Sequence, residues 1–195
     1  MAGYPDNTTY HMCTDEIIDI CKRNGTSFEA SREVTLSAGA TAYSIFKTAS
    51  KPVIFYARGF GFDGVGINAF IYANPTYSDI GTESNRIRNP NGINGTLPTV
   101  RLFAEPTITD FGTETRAASY LFGGTSNQSS GETIQTIVSP QYILPNKEIL
   151  LFFTNRSTNS SQKVTAMIEW CEPERIQGLV INSDGTFNRY NGFPL

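Results

Sequence analysis

Four acidic residues are the side chains in this sequence best placed to do chemistry. Asp79 and Glu83 stand four apart, and Asp110 and Glu114 repeat that spacing. Carboxylates are the hard oxygen ligands that a divalent cation takes, and a facing pair of them can hydrolyse a glycan. All four belong to an internal repeat. Residues Ile71 to Ser84 align with Leu102 to Thr115 at a spacing of 31, with seven positions identical. The same pattern has a structural reading, which is the stronger one. Pro75 and Pro106 cannot donate to a β-ladder and so end a strand. Asp79 and Asp110 suit Asx-type turns, and Gly81 and Gly112 can supply the positive φ that such turns need. We therefore expect two similar strand-plus-corner units, with a cation site at the four carboxylates as the weaker expectation and catalysis weaker still.

The remaining candidates are less specific. Gly59-Phe60-Gly61-Phe62-Asp63-Gly64 fits G-x-G-x-x-G after a strand-like run. A dinucleotide site would require a helix next. Instead Val65 to Phe70 alternates like a strand, so a glycine-rich bend is expected. His11 is the sole histidine, and no nucleophile motif accompanies it, so a Ser-His or Cys-His centre is not expected. Cys13, Cys21 and Cys171 form no C-x-x-C pair and give zinc no recognisable ligand spacing. Cys21 is expected to pack on a helix, and Trp170 to anchor the core. No catalytic residue, cofactor or metal is expected. Candidate partner contacts are Tyr77, Phe111 and Tyr190, which flank turns, and Arg86 and Arg88. The two arginines lie in the stretch Asn85 to Asn94, which is expected to be a long exposed loop.

Those side chains need a scaffold, and composition restricts its kind. The chain has 195 residues, 17% charged and 12% aromatic, with net charge -3. Charge is low against the roughly 25% of ordinary domains, and Ser, Thr, Asn and Gly fill the difference. Such a balance suits a turn-rich β protein. Nucleic-acid binding calls for a basic field that displaces counterions, and this chain has none. No apolar run approaches the ~20 residues of a membrane span. The start, Met-Ala-Gly-Tyr-Pro, lacks a charged and then apolar leader, which predicts a reducing compartment and free thiols.

Periodicity supplies the elements. Residues Thr14 to about Arg23 read as the one short helix, with Thr14 as N-cap, Ile17, Ile20 and Cys21 as its apolar stripe, and Gly25 as its stop. From about Arg32 the period becomes two. Val34 and Leu36 alternate with polar residues. So do Val65, Ile67, Ala69 and Ile71, and Val164, Ala166, Ile168 and Trp170. Further strands are read at 42–47, 52–57, 99–104, 117–122, 133–138 and 147–154. Many short strands with Gly, Asn and Pro corners predict an all-β antiparallel sandwich, jelly-roll-like. Ser183-Asp184-Gly185 between two short apolar runs predicts a C-terminal hairpin or arm. The expected layout is an N-terminal arm with the helix (1–31), the sandwich core (32–172) and a C-terminal extension (173–195).

An ordered series of motifs resembles a known family. It runs through Pro75-Thr76 with Gly81-Thr82, Asn85-Arg86, Arg88-Asn89, and Pro106-Thr107 with Gly112-Thr113. It continues with Ile143-Leu144-Pro145-Asn146, Phe153-Thr154-Asn155, and finally Ile168-Glu169-Trp170-Cys171-Glu172. This series is similar to the jelly-roll decoration, or cement, proteins of bacteriophage heads. Relatives usually carry tyrosine where Cys171 stands. The resemblance implies a virion structural protein without catalytic residues. It would be made in the host cytoplasm and placed on the outer capsid surface, as a homo-dimer or homo-trimer bound to the major capsid protein. No nucleic-acid or membrane partner is implied. The alternative is a receptor- or carbohydrate-binding module of a phage tail, fibre or head spike.

Overall fold

The computed structural model describes residues 18–90, 97–122, 133–173, 179–181 and 187–189. The long strands are β1 (Ser27–Leu36), β2 (Thr41–Lys47), β3 (Val53–Phe62) and β4 (Gly66–Ala73), then β10 (Thr113–Phe122), β11 (Thr133–Ile143), β12 (Glu148–Asn155) and β13 (Gln162–Cys171). Between β4 and β10 lie five short ones: β5 (Thr76–Asp79), β6 (Thr82–Glu83), β7 (Ile87–Arg88), β8 (Arg101–Ala104) and β9 (Thr107–Asp110). One sheet has the order β11-β3-β13-β1-β7 and the other β10-β4-β12-β2-β8-β6. Successive long strands alternate between the two antiparallel sheets except at β4 and β10, which are neighbours in one sheet, the winding of a jelly roll. The expected sandwich is the observed fold. At the C-terminal end β14 (Leu179–Ile181) pairs antiparallel with β15 (Phe187–Arg189), the hairpin anticipated there.

Alternation decides which side chains meet between the sheets. On β4, Ile67, Ala69 and Ile71 face inward, and on β12 so do Ile149, Leu151 and Phe153. Trp170 is fully buried. Its ring meets Phe46 edge-on at 5.4 Å and Phe28 at 5.9 Å, contacts that add stabilisation beyond burial. Strand β3 reads as one apolar run for a geometric reason. Its ladder with β13 slips between Ala57 and Phe55, and the extra residue of such a bulge reverses parity. Val53 and Phe55 therefore enter one core cluster, while Phe60 and Phe62 enter another. Arg58 stands between them in the chain, buried, with its guanidinium 5.1 Å from the Phe60 ring centre and donating to the Phe70 carbonyl of the opposite sheet at 3.5 Å.

Three expectations change in detail. The helix occupies 18–23 of the described residues. Its buried residues are Ile18 and Cys21, whereas Ile20 is 50% exposed. The docking face therefore follows an i, i+3 spacing that starts at Ile18; Thr14 and Ile17 lie outside the described residues. Strand β1 opens at Ser27, ahead of Arg32, and is paired with β13 along its whole length. Ser27 and Glu29 alternate there with Phe28 and Ala30, which enter the core, so the two-residue period begins earlier than Arg32. The stretch Asn85 to Asn94 is not wholly loop: Ile87 and Arg88 form β7 against Ala30 and Glu29, and Ile87 packs on the core. The Gly59 to Phe62 half of the glycine-rich motif is strand, and the bend falls on 63–65, with no helix after it.

Candidate functional site

The internal repeat builds the most distinctive surface of the molecule. Each copy begins on a long strand or its neighbour, breaks at a buried proline and resumes as a short strand. The two resumed strands, β5 and β9, then pair with each other as an antiparallel ribbon. Thr76 and Thr109 share a hydroxyl hydrogen bond across it at 2.9 Å. Beyond the ribbon each copy crosses to its counterpart. Thr82 pairs with Ala104, and Thr113 pairs with Ala73. Because the two pairings are related by the repeat spacing, the two copies clasp each other about a local pseudo-two-fold axis.

The carboxylates that suggested chemistry serve this construction. The Gly81 amide donates to Asp79 Oδ1 at 3.0 Å, and the Gly112 amide to Asp110 Oδ1 at 2.7 Å. These are the expected Asx turns, with Gly81 and Gly112 at φ 86° and 82°. Glu83 accepts two hydrogen bonds from Arg101 at 2.7 and 2.6 Å. That bidentate pair holds the Glu83 carboxyl below its usual range and the Arg101 guanidinium above its own. Glu114 is exposed at the start of β10. Among the described residues, no three His, Cys, Asp or Glu side chains come together as a metal-binding group.

This arrangement makes a prediction. An asparagine side-chain oxygen can accept the same Asx-turn hydrogen bond. The double variant Asp79→Asn, Asp110→Asn should keep its unfolding free energy within about 0.5 kcal/mol of the parent, with or without millimolar calcium. A thermal melt checks this. A calcium-dependent rise that disappears in the double variant would mean that the carboxylates hold a cation.

Under the ribbon lies an aromatic layer on the outer face of the six-stranded sheet. Alternation sends Tyr43 and Ile45 of β2, Phe70 and Tyr72 of β4, and Leu150 and Phe152 of β12 outward. Phe152 stacks on Phe70 at 4.6 Å. Phe111, 42% exposed in the second corner, stacks on Phe152 at 5.4 Å and on Tyr43 at 6.0 Å. Tyr77 points inward from the ribbon, and its hydroxyl donates to Glu148 at 3.1 Å. Lys47 donates to the same carboxylate at 2.6 Å. Burial, followed by the nearby Glu148 carboxylate, raises the Tyr77 phenol, while the hydrogen bond to Glu148 raises Lys47. The ribbon is thus pinned to the sheet by apolar contact and by one polar post.

Of the expected partner contacts, Phe111 is half exposed over this layer and Tyr77 is turned into it. Arg86 and Arg88 are exposed just before and on β7, at the edge of the five-stranded sheet, and Tyr190 lies outside the described residues. Two aromatic residues not anticipated are more exposed than Phe111 and Tyr77. Tyr120 and Phe122, 60% and 61% exposed, flank buried Leu121 on β10. They share the outward face of the six-stranded sheet, at its edge strand, and Arg156 lies 4.0 Å over the Phe122 ring. The alternation Ser119, Tyr120, Leu121, Phe122 carries this signal in the sequence once the inward residue is known. Among the described residues, no helix is long and apolar enough to cross a membrane.

A second construction pins the end of the sandwich. Glu172, only 2% exposed, accepts from the Thr99 amide at 2.8 Å, the Thr99 hydroxyl at 2.6 Å and the Val100 amide at 3.2 Å. It also accepts from the Trp170 indole N–H at 3.1 Å. The carboxylate fixes the approach to β8 and the orientation of the core tryptophan together.

No protein-family model matches the chain, and no curated protein does. Among solved structures, the crystal structure of the infectious bursal disease virus VP2 subviral particle is similar at 12% identity and a TM-score of 0.19. The match covers 86% of this chain and 46% of that one, so the chain spans less than half of the VP2 chain's length. A likeness that slight carries neither fold nor function across. The jelly roll stands on the strand order alone.

Proposed function

We propose that this chain is a non-catalytic structural protein of a bacteriophage virion that decorates the outer capsid surface. It would bind the major capsid protein as a homo-dimer or homo-trimer. One observation supports this reading above the others. The outer face of the six-stranded sheet is a rigid plate, roofed by the paired repeat, that presents Phe111, Tyr120 and Phe122 to solvent. Aromatic side chains on a pre-organised surface are the residues that anchor protein interfaces. Three of the four carboxylates of the repeat, Asp79, Glu83 and Asp110, are meanwhile engaged in turns and an ion pair. Many copies on a symmetric shell multiply a modest single contact by avidity.

The purified protein is expected to co-sediment with emptied, expanded phage heads and to raise their resistance to heat or chelator. Tyr120→Ser with Phe122→Ser should weaken that binding at least tenfold while leaving the fold intact by circular dichroism. Recovery with tails alone would defeat the decoration reading.

A further inference from the structure

We propose that Cys21 and Cys171 form a dithiol–disulfide site that, once oxidised, staples the N-terminal helix to the last strand of the jelly roll. The inference comes from the side chains beneath the helix and does not depend on the capsid reading. Cys21 is 2% exposed and Cys171 fully buried, and both are free thiols in one apolar cluster with Ile18, Ile54 and Tyr56. Each thiol shifts the other's titration more than any other group does. The backbone around them is fixed. The Thr26 amide donates to the Cys21 carbonyl at 2.9 Å, the Glu172 amide donates to the Thr26 carbonyl at 2.9 Å, and Ser27 lies directly across from Cys171 in the ladder. The helix that carries Cys21 and the strand end that carries Cys171 are therefore tied together through the backbone of Thr26.

The chemistry of the pair is asymmetric in a useful way. The neighbouring Cys171 thiol holds Cys21 below the ordinary thiol range, and Cys21 together with burial pushes Cys171 up. Cys21 is thus the nucleophile. It sits on a helix of six described residues, short enough to lift by local opening. The Cys21 thiolate attacks oxidised glutathione and expels one glutathione thiolate. Cys171 then loses its proton, attacks the Cys21 sulfur of the mixed disulfide and expels the second. Two protein thiols are oxidised, and one glutathione disulfide is reduced to two glutathiones. In a reducing compartment the pair stays open; in oxidising surroundings it closes. The closed loop contains all eight long strands, so the staple ties the helix ahead of the first strand to the end of the last.

The test uses the full chain with Cys13→Ser, which leaves only these two of the three cysteines. After incubation with oxidised glutathione, the protein is expected to lose two hydrogens in mass and to yield a Cys21–Cys171 cross-linked peptide. Neither thiol should then take iodoacetamide until dithiothreitol is added. The oxidised form should melt roughly 5–10 °C above the reduced form, and Cys21→Ser in the same background should abolish that difference. The mass and labelling readouts need no further variant to fold. Persistence of both thiols in free form, or of glutathione on Cys21 as a stable mixed disulfide, would overturn the proposal.

Discussion

Replacing Glu172 with alanine is expected to lower the unfolding free energy by about 4 kcal/mol, with a fall in melting temperature of roughly 10 °C. The size follows from what the carboxylate leaves behind. It takes hydrogen bonds from two backbone amides, a hydroxyl and the Trp170 indole N–H, and the Val100 and Trp170 donors are in buried surroundings. A buried donor that loses its acceptor costs about 1–3 kcal/mol, and hydrogen bonds to a charged group lie at the upper end. The losses are not additive, because a water can enter the space and serve some donors. Glu172→Gln keeps one acceptor oxygen but turns an NH2 group toward donors, so about 2 kcal/mol is expected from it. Glu114→Ala, at an exposed position of the repeat, should stay within about 0.5 kcal/mol of the parent. Urea unfolding followed by circular dichroism measures all three at once. A Glu172→Ala protein within 1 kcal/mol of the parent would show that the clamp is incidental.

Glu172 also marks where sequence reasoning stops. The jelly roll was legible because its strands alternate. Val164, Ala166, Ile168 and Trp170 declare an inward face, and Ile67, Ala69 and Ile71 declare another. The corners were legible because Asp and Gly do at Asp79–Gly81 and Asp110–Gly112 what their chemistry favours. A glutamate two residues beyond a tryptophan carries no such mark. Its role depends on the Thr99–Val100 segment, more than seventy residues earlier, arriving beside it. Ile20 shows the same limit at short range. Ile17, Ile18 and Ile20 offer more than one possible stripe, and only docking onto Ile54 and Tyr56 selects Ile18 with Cys21. The repeat was visible, but its consequence was not. That β5 pairs with β9, rather than each corner standing alone, is decided by the long strands that carry them into place.

That reciprocal clasp makes its own demand, and it gives the second large effect. Gly81→Ala and Gly112→Ala are each expected to cost about 3–4 kcal/mol, and the double variant is expected to lose the ribbon. Two separate costs combine at each glycine. Both residues hold positive φ, where a Cβ costs roughly 1–2 kcal/mol. Both also lie against the partner copy of the repeat. A Cβ at Gly81 would fall 2.2 Å from the Ala104 carbonyl oxygen, and one at Gly112 would fall 2.2 Å from the Ala73 carbonyl oxygen. Those oxygens are backbone atoms of β8 and β4, so relief requires moving a strand rather than turning a side chain. Gly39 separates the two costs. It has φ 67° with open space where its Cβ would go, so Gly39→Ala should lose only the conformational part, about 1 kcal/mol. If the three variants prove equally mild by urea titration, the clasp has slack and the ribbon is not the rigid roof described above. If Gly81→Ala and Gly112→Ala stand well apart from Gly39→Ala, the close approach of the two copies is what fixes the aromatic plate.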